Sequence, residues 1–219
     1  MIAFYSQQNL NFHALFYIFM PPKPIRCWST QNPLYIKYHD EEWGTPVHDD
    51  RKLFELLALE GFQAGLTWEL ILKRRTALKE AFADFDLEKV AKYTVTKIQE
   101  TLSNPKVIRN RAKVQATVNN AQKFIQIQNE FGSFDKFIWK YVNGKPLDHA
   151  PKSMTEMPAQ TEESRAMSKE LKKRGFKFVG PAICYAFMQA VGMVNDHLTS
   201  CFRYKKIIKL KQKPSKTQN

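Results

Sequence analysis

From Asp49 to Val191 the apolar residues recur at the three-and-four spacing of a helix, and nowhere does the chain alternate apolar with polar residues over the length of a strand. Two-residue hairpin turns are not found either. Apolar stripes of this kind can be buried only by packing helix on helix, so the expected fold class is all-α.

The helices can be placed in outline. Asp49 or Asp50 stands where a cap is needed before Leu53, Leu56, Leu57 and Glu60, which share one helical stripe. Gly61 and Gly65 loosen the chain, and a second apolar run from Leu66 to Leu72, around Trp68, is expected to end at Lys73, Arg74 and Arg75. Shorter patterns follow over 77–85 and 87–93, then a longer stripe of Val107, Val114, Val118, Ala121 and Ile125, and another from Phe134 to Tyr141 before the Asn143-Gly144 turn. Thr161 opens a helix that reaches Lys173 and is closed by Gly175, and the segment from Pro181 to Val191 is apolar nearly all round, as a helix buried on every side should be.

Residues 25–203 read as one globular domain. Residues 1–24 are amide-rich, then aromatic, then broken by prolines, and look like an appendage or an upstream start; residues 204–219 form a basic tail. The chain carries 34 Lys+Arg against 21 Asp+Glu, a formal charge of +13 to which the last fifteen residues contribute six lysines and no acid. The excess points to a polyanionic partner. The apolar stretch from Ala14 to Met20 is too short to cross a bilayer, and the first cation, Lys23, follows it where a secretory signal would need it in front. A cytoplasmic protein without membrane contact is expected, and its three cysteines do not suggest a disulfide framework.

Cys27 and His39 lie near the start of the domain and His197 and Cys201 near its end, the latter pair at i and i+4, a spacing that on a helix puts both side chains on one face. Two thiolates and two imidazoles suit tetrahedral zinc and leave no open position for a reacting water, so such a site would be structural. Spacing alone weighs equally for ordinary burial. Asp40 and Asp196, adjacent to the two histidines, are candidate outer partners. Cys184, between Ile183 and Tyr185, reads as a core residue.

Trp28, Tyr35, Tyr38 and Trp43 crowd the segment that carries Cys27 and His39, and Trp68 follows Glu60 closely. Rings at this density form either core or a slot for a planar, cationic ligand. The stripe position of Glu60 directs it inward, where an ionised carboxylate needs a partner, supplied by a salt bridge or by a ligand. Two basic clusters, Lys106 to Lys113 with Arg109 and Arg111, and Lys172 to Lys177 with Lys173 and Arg174, are either solvated faces or a track for a phosphate backbone.

Four runs are long and unusual: Asn32-Pro-Leu-Tyr-Ile; Tyr38-His-Asp-Glu-Glu-Trp-Gly; Leu59-Glu-Gly-Phe-Gln-Ala-Gly-Leu-Thr-Trp; and Leu171-Lys-Lys-Arg-Gly-Phe-Lys-Phe-Val-Gly, joined by Val194-Asn-Asp-His197. In these runs residues 25–203 resemble the 3-methyladenine DNA glycosylase I family of bacterial base-excision repair enzymes. The resemblance implies a two-lobed, all-α fold of the helix-hairpin-helix glycosylase superfamily and excision of 3-methyladenine from double-stranded alkylated DNA by a monomer in the cytosol. It implies structural zinc on Cys27, His39, His197 and Cys201, and a base pocket formed by Glu60 as the catalytic group with Trp28, Tyr35, Tyr38, Trp43 and Trp68. DNA contacts would come from Arg109, Arg111, Lys113, Lys173, Arg174 and Lys177. Here the chain departs from the family: the hairpin, near Ser103 to Lys113, reads Ser-Asn-Pro-Lys where glycine is common, which shifts phosphate binding toward Arg109 and Arg111. The alternatives are a glycosylase of broader alkyl-purine range and a zinc-containing DNA-binding module without activity.

Overall fold

The computed structural model describes residues 24–211. Most of the expected extension, and the end of the basic tail, lie outside the described residues. Among the described residues, ten α-helices account for most of the structure. They are α1 (Pro33–Lys37), α2 (Asp50–Gln63), α3 (Trp68–Ala81), α4 (Leu87–Ala91), α5 (Val95–Ser103), α6 (Arg111–Phe131), α7 (Phe134–Trp139), α8 (Glu162–Lys173), α9 (Pro181–Ala190) and α10 (Tyr204–Lys211). A π-helical turn, Tyr38–Glu42, follows α1 without a break.

The expected all-α class needs one small correction. Two-residue strands β1 (Leu147–Asp148) and β2 (Val194–Asn195) pair in parallel. Segments so short show no alternation, so no pattern in the sequence could have revealed them.

The core is one continuous cluster organised around α2. Asp49 caps α2 by accepting from the Lys52 amide, while Asp50 reaches away to accept from the Phe134 and Asp135 amides at the start of α7. Every residue from Leu53 to Phe62 is buried, because α3, α6, α7 and α9 surround the helix. Two carboxylates are therefore drawn inside, Glu55 and Glu60.

Helix α3 does not end at Lys73-Arg74-Arg75 as expected but runs on to Ala81. Arg75 is tolerated mid-helix on the packed side because its guanidinium bonds Glu55 at 2.7 Å and Glu42 at 2.8 and 2.9 Å. The long α6 begins after Asn110, whose side chain accepts from the Lys113 amide, and ends at Gly132. Helix α8 opens with a capping box between Thr161 and Ser164 and stops at Gly175, which takes the left-handed conformation at φ +87°.

The end of α9 docks on the segment that follows the π-turn. The Gly44 amide donates to the Gln189 carbonyl at 3.1 Å and the Val47 amide to the Val191 carbonyl at 3.0 Å. Gly192 makes this approach possible: its φ is +70°, and a Cβ there would lie 2.4 Å from the carbonyl carbon of Thr45. Gly192→Ala combines a left-handed backbone with overpacking against main chain, so it is expected to cost about 3 kcal/mol. Urea unfolding of the variant measures this loss.

Candidate functional site

The π-turn distributes consecutive side chains in different directions. Its wide, rarely used winding, frequent at functional sites, buries both Tyr38 and His39. Tyr38 enters a pocket and His39 enters a Cys/His cluster, while Asp40 bonds Arg26 and Glu42 joins Arg75.

The pocket has a volume of about 270 Å³ and is lined by Trp28, Tyr35, Tyr38, Trp43 and Trp68, with Glu60, Gln63, Met154, Met157, Ala186 and Gln189 completing it. Tyr38 and Trp68 approach with ring centroids 5.1 Å apart, and Trp28 meets Trp43 at 4.8 Å and Tyr35 at 5.4 Å. The indole N–H groups of Trp28 and Trp68 are buried without a partner. Buried donors of this kind are uncommon and suit a pocket awaiting a polar ligand.

Glu60 is 4% exposed, and among the described residues no side-chain donor reaches it. Burial pushes its carboxyl up from an ordinary 4.5 to about 8. The phenol of Tyr38 is pushed well above its usual value, first by burial and then by the neighbouring Glu60. The pocket thus sets one uncompensated acid among five aromatic side chains, each with a polar N–H or O–H of its own.

Gln63, Gln189, Ala186, Met154 and Met157 were not anticipated. Gln63 stands three residues after Glu60 on α2, a spacing that could have identified it. Ala186 and Gln189 share a face of α9 by the same rule. Met154 opens a single 3-10 turn, Met154–Glu156, and Met157 caps it, a segment too short for any periodicity to point to them.

The cluster gathers Cys27, His39, His197 and Cys201, all buried, with their donor atoms within 4.8 Å of one another. Cys27 Sγ lies 3.3 Å from His197 Nδ1, and Cys201 Sγ lies 3.6 Å from His39 Nε2 and 3.7 Å from His197 Nδ1. The outward nitrogens are occupied: His39 Nδ1 is 2.7 Å from Asp40, and His197 Nε2 is 3.0 Å from the Trp43 carbonyl. A proton on each outward nitrogen leaves both inward nitrogens as lone-pair donors, the tautomer that a metal ligand requires. The amides of Leu198 and Arg203 point at the two sulfurs, each at 3.4 Å. The four groups could therefore hold a metal ion.

Asp196 does not serve His197 as expected. It binds His149 at 2.6 Å, Gln189 at 2.7 Å and the Tyr185 hydroxyl, because its side chain projects toward α9 and β1. Cys184 is a core residue, its thiol pushed up to about 12 by burial. Trp43 and Trp28 pack edge-on against the cluster histidines, at 4.6 Å from His197 and 4.7 Å from His39, so the pocket and the cluster share a wall.

The basic residues separate into two groups. Arg109, Arg111, Lys173 and Lys177 are exposed. Asn120 clamps both main-chain groups of Lys177, which brings it beside α6 and toward the other basic cluster. Lys113 and Arg174 differ from expectation. Lys113 is 6% exposed, with its ammonium on the carbonyls of Phe62 and Ala64, and Arg174 is engaged by Glu130 and Glu170. Both lie where a neighbouring element offers acceptors nearer than any solvent-borne phosphate.

Fold and pocket together define a mostly helical protein with an aromatic-lined pocket closed around one buried acid. The chain belongs to the methyladenine glycosylase family, whose profile matches residues 28–204. It is 47% identical over 177 residues to the DNA-3-methyladenine glycosylase of Haemophilus influenzae, covering 80% of this chain and 96% of that one. It is 46% identical over 180 residues to DNA-3-methyladenine glycosylase 1 of Escherichia coli, covering 82% and 96%. The structure also resembles that of 3-methyladenine DNA glycosylase I from Staphylococcus aureus, solved to explain its recognition of 3-methyladenine. There the TM-score is 0.79 at 40% identity, with 86% of this chain and 96% of that one covered.

Proposed function

We propose that the protein is a DNA repair glycosylase that flips 3-methyladenine out of alkylated double-stranded DNA into the Glu60 pocket and hydrolyses its bond to the sugar, initiating base excision repair. The observation that carries this reading is the buried, unpartnered carboxyl of Glu60 among aromatic rings. Family membership supports it from a second direction.

Methylation at N3 leaves adenine positively charged, so the glycosidic bond is already weakened and the base departs neutral. The enzyme must extrude the nucleotide, recognise the damaged base and admit water to the sugar carbon. Tyr38, Trp43 and Trp68 take the base between their rings, Trp28 and Tyr35 close the slot, and Glu60 accepts a hydrogen bond from the edge of the base. A cation on desolvated rings contributes about 2 kcal/mol and a charge-assisted hydrogen bond roughly 1.5–3 kcal/mol. Neutral adenine gains less from both.

The charge on Glu60 then becomes the control point. Without a cation beside it, the carboxyl with a pKa of about 8 holds its proton at neutral pH. A cationic base stabilises only the ionised form, so binding releases that proton, and the affinity falls as pH drops below about 8. Excision at subsaturating substrate is expected to lose up to about tenfold per pH unit below that point. A pH profile of kcat/KM that is flat between 6 and 8 would remove the proton from the binding step.

The cluster of Cys27, His39, His197 and Cys201 is read as a structural zinc site. Its sulfur-to-nitrogen separations of 3.3, 3.6 and 3.7 Å sit near the about 3.6 Å expected across a tetrahedral zinc ion with ordinary bond lengths. Four protein donors leave no place for a reacting water, so the ion would supply stability only. The fold is taken as the two-lobed helix-hairpin-helix glycosylase type, with α5, the turn at 104–110 and α6 as the hairpin and Arg109, Arg111, Lys173 and Lys177 along the DNA backbone. The protein is expected to act as a cytoplasmic monomer; among the described residues no helix is long and apolar enough to cross a membrane. Incubating methylated duplex DNA with the pure protein and identifying the released bases tests the activity. Release of 3-methyladenine supports it, release of 7-methylguanine as well indicates a broader range, and salt-sensitive DNA binding without base release indicates a non-enzymatic module.

A further inference from the structure

Lys113 was expected among the phosphate contacts, yet its ammonium is buried 2.7 Å from the Phe62 carbonyl and 2.6 Å from the Ala64 carbonyl. These two carbonyls flank Gln63, which lines the pocket at the C-terminal end of α2, one turn beyond Glu60. The chain then turns sharply, with the Leu66 amide on the Gln63 carbonyl and Gly65 at φ +73°, before Thr67 caps α3 and Trp68 enters the pocket. Carbonyls at the end of a helix have no partner within it, and a cation there also offsets the negative end of the helix dipole. The main chain of Lys113 is held equally firmly, its amide donating to the Asn110 side chain in the first turn of α6. Arg109 and Arg111, both exposed, flank that same Asn110.

We infer that Lys113 is a positioning residue that bolts the first turn of α6, where the exposed arginines stand, to the pocket lip between Glu60 and Trp68, so that the DNA-facing turn and the base-binding residues keep one fixed geometry. The inference rests on the base-binding reading above and extends it to a residue that touches neither the base nor a phosphate. A phosphate contact and a lip clamp make opposite predictions. Losing a phosphate contact lowers the slope of log K against log salt by about 0.9 and leaves affinity for the free base unchanged. Losing the clamp leaves the salt slope unchanged and weakens base binding, because Gln63, Trp68 and Glu60 lose their mutual placement.

The test compares K113M, which keeps the length of the side chain without its donors, with K177M at an exposed lysine. Binding of free 3-methyladenine is followed by tryptophan fluorescence, and binding of duplex DNA over a salt series, both well below the melting temperature of each variant. We expect K113M to bind the free base at least tenfold more weakly than wild type with an unchanged salt slope, and K177M to show the reverse pattern. Wild-type affinity for the base in K113M, or a salt slope reduced as in K177M, overturns the inference. Wild-type protein that fails to bind 3-methyladenine would overturn the base-binding reading by itself. The clamp is then judged on amide hydrogen exchange over residues 63–68 without ligand, which should be at least tenfold faster in K113M and would refute the clamp if unchanged.

Discussion

Glu60→Gln is expected to lower excision of 3-methyladenine by roughly 10- to 150-fold while leaving a folded protein that is, at alkaline pH, more stable than wild type. The amide can still meet the edge of the base, but it lacks the charge that distinguishes an alkylated purine from a normal one, and a charge-assisted hydrogen bond of roughly 1.5–3 kcal/mol corresponds to a factor of this size. The stability effect follows from linkage. Burial raises the carboxyl from 4.5 to about 8 in the folded protein, so its contribution is complete below 4.5 and is lost as pH rises through 8. Glutamine cannot ionise and does not suffer that loss, which is on the order of a few kcal/mol. Single-turnover excision assays together with melting curves between pH 5 and 9 measure both effects. Near-wild-type activity would remove the carboxylate from the mechanism, and a wild-type melting curve indifferent to pH across that range would show that Glu60 is not held in a dry pocket.

Cys201→Ser should have the largest structural effect. A serine hydroxyl does not ionise to bind a metal, so the purified variant is expected to fall from about one zinc per chain to near none and to melt at least about 10 °C lower. The cluster joins Cys27 and His39 to His197 and Cys201 across most of the chain; the segment around Cys27 is otherwise held by Arg26 on Asp40, by the Phe202 amide on the Ile25 carbonyl and by the packing of Trp28 against Tyr35, His39 and Trp43. Base binding should weaken in parallel, since Trp28 and Trp43 form both the wall of the pocket and the packing around the histidines. Full zinc content and an unchanged melting temperature would show that the four residues are not its ligands.

Much of this site is legible in the amino-acid sequence. Glu60 could be placed inward because it shares a stripe with Leu53, Leu56 and Leu57, and the four Cys/His residues stood out by type and by the i, i+4 spacing of the last two. The six pocket positions then came from resemblance, and the structure brings all six together. What escaped was the company each residue keeps. Asp196 looked like a partner for His197 because it is adjacent in sequence, yet it serves His149, Tyr185 and Gln189. Lys113 and Arg174 looked like surface cations because they stand in basic runs, yet carbonyls of α2 and the carboxylates of Glu130 and Glu170 occupy them. Arg75 looked like the end of a helix and is instead the buried link between Glu42 and Glu55.

The amino-acid sequence by itself determined the helical class, the caps at Asp49, Thr161 and Gly175, the inward direction of Glu60 and the kinship of the chain, because periodicity, capping and motif are properties of neighbouring residues. Only the tertiary structure decided which cations remain free for a phosphate, which carboxyl is left without a partner, and that pocket and cluster share a wall. Those outcomes depend on which groups from distant elements come within hydrogen-bonding distance, and a buried charge takes the nearest acceptor whatever its place in the chain.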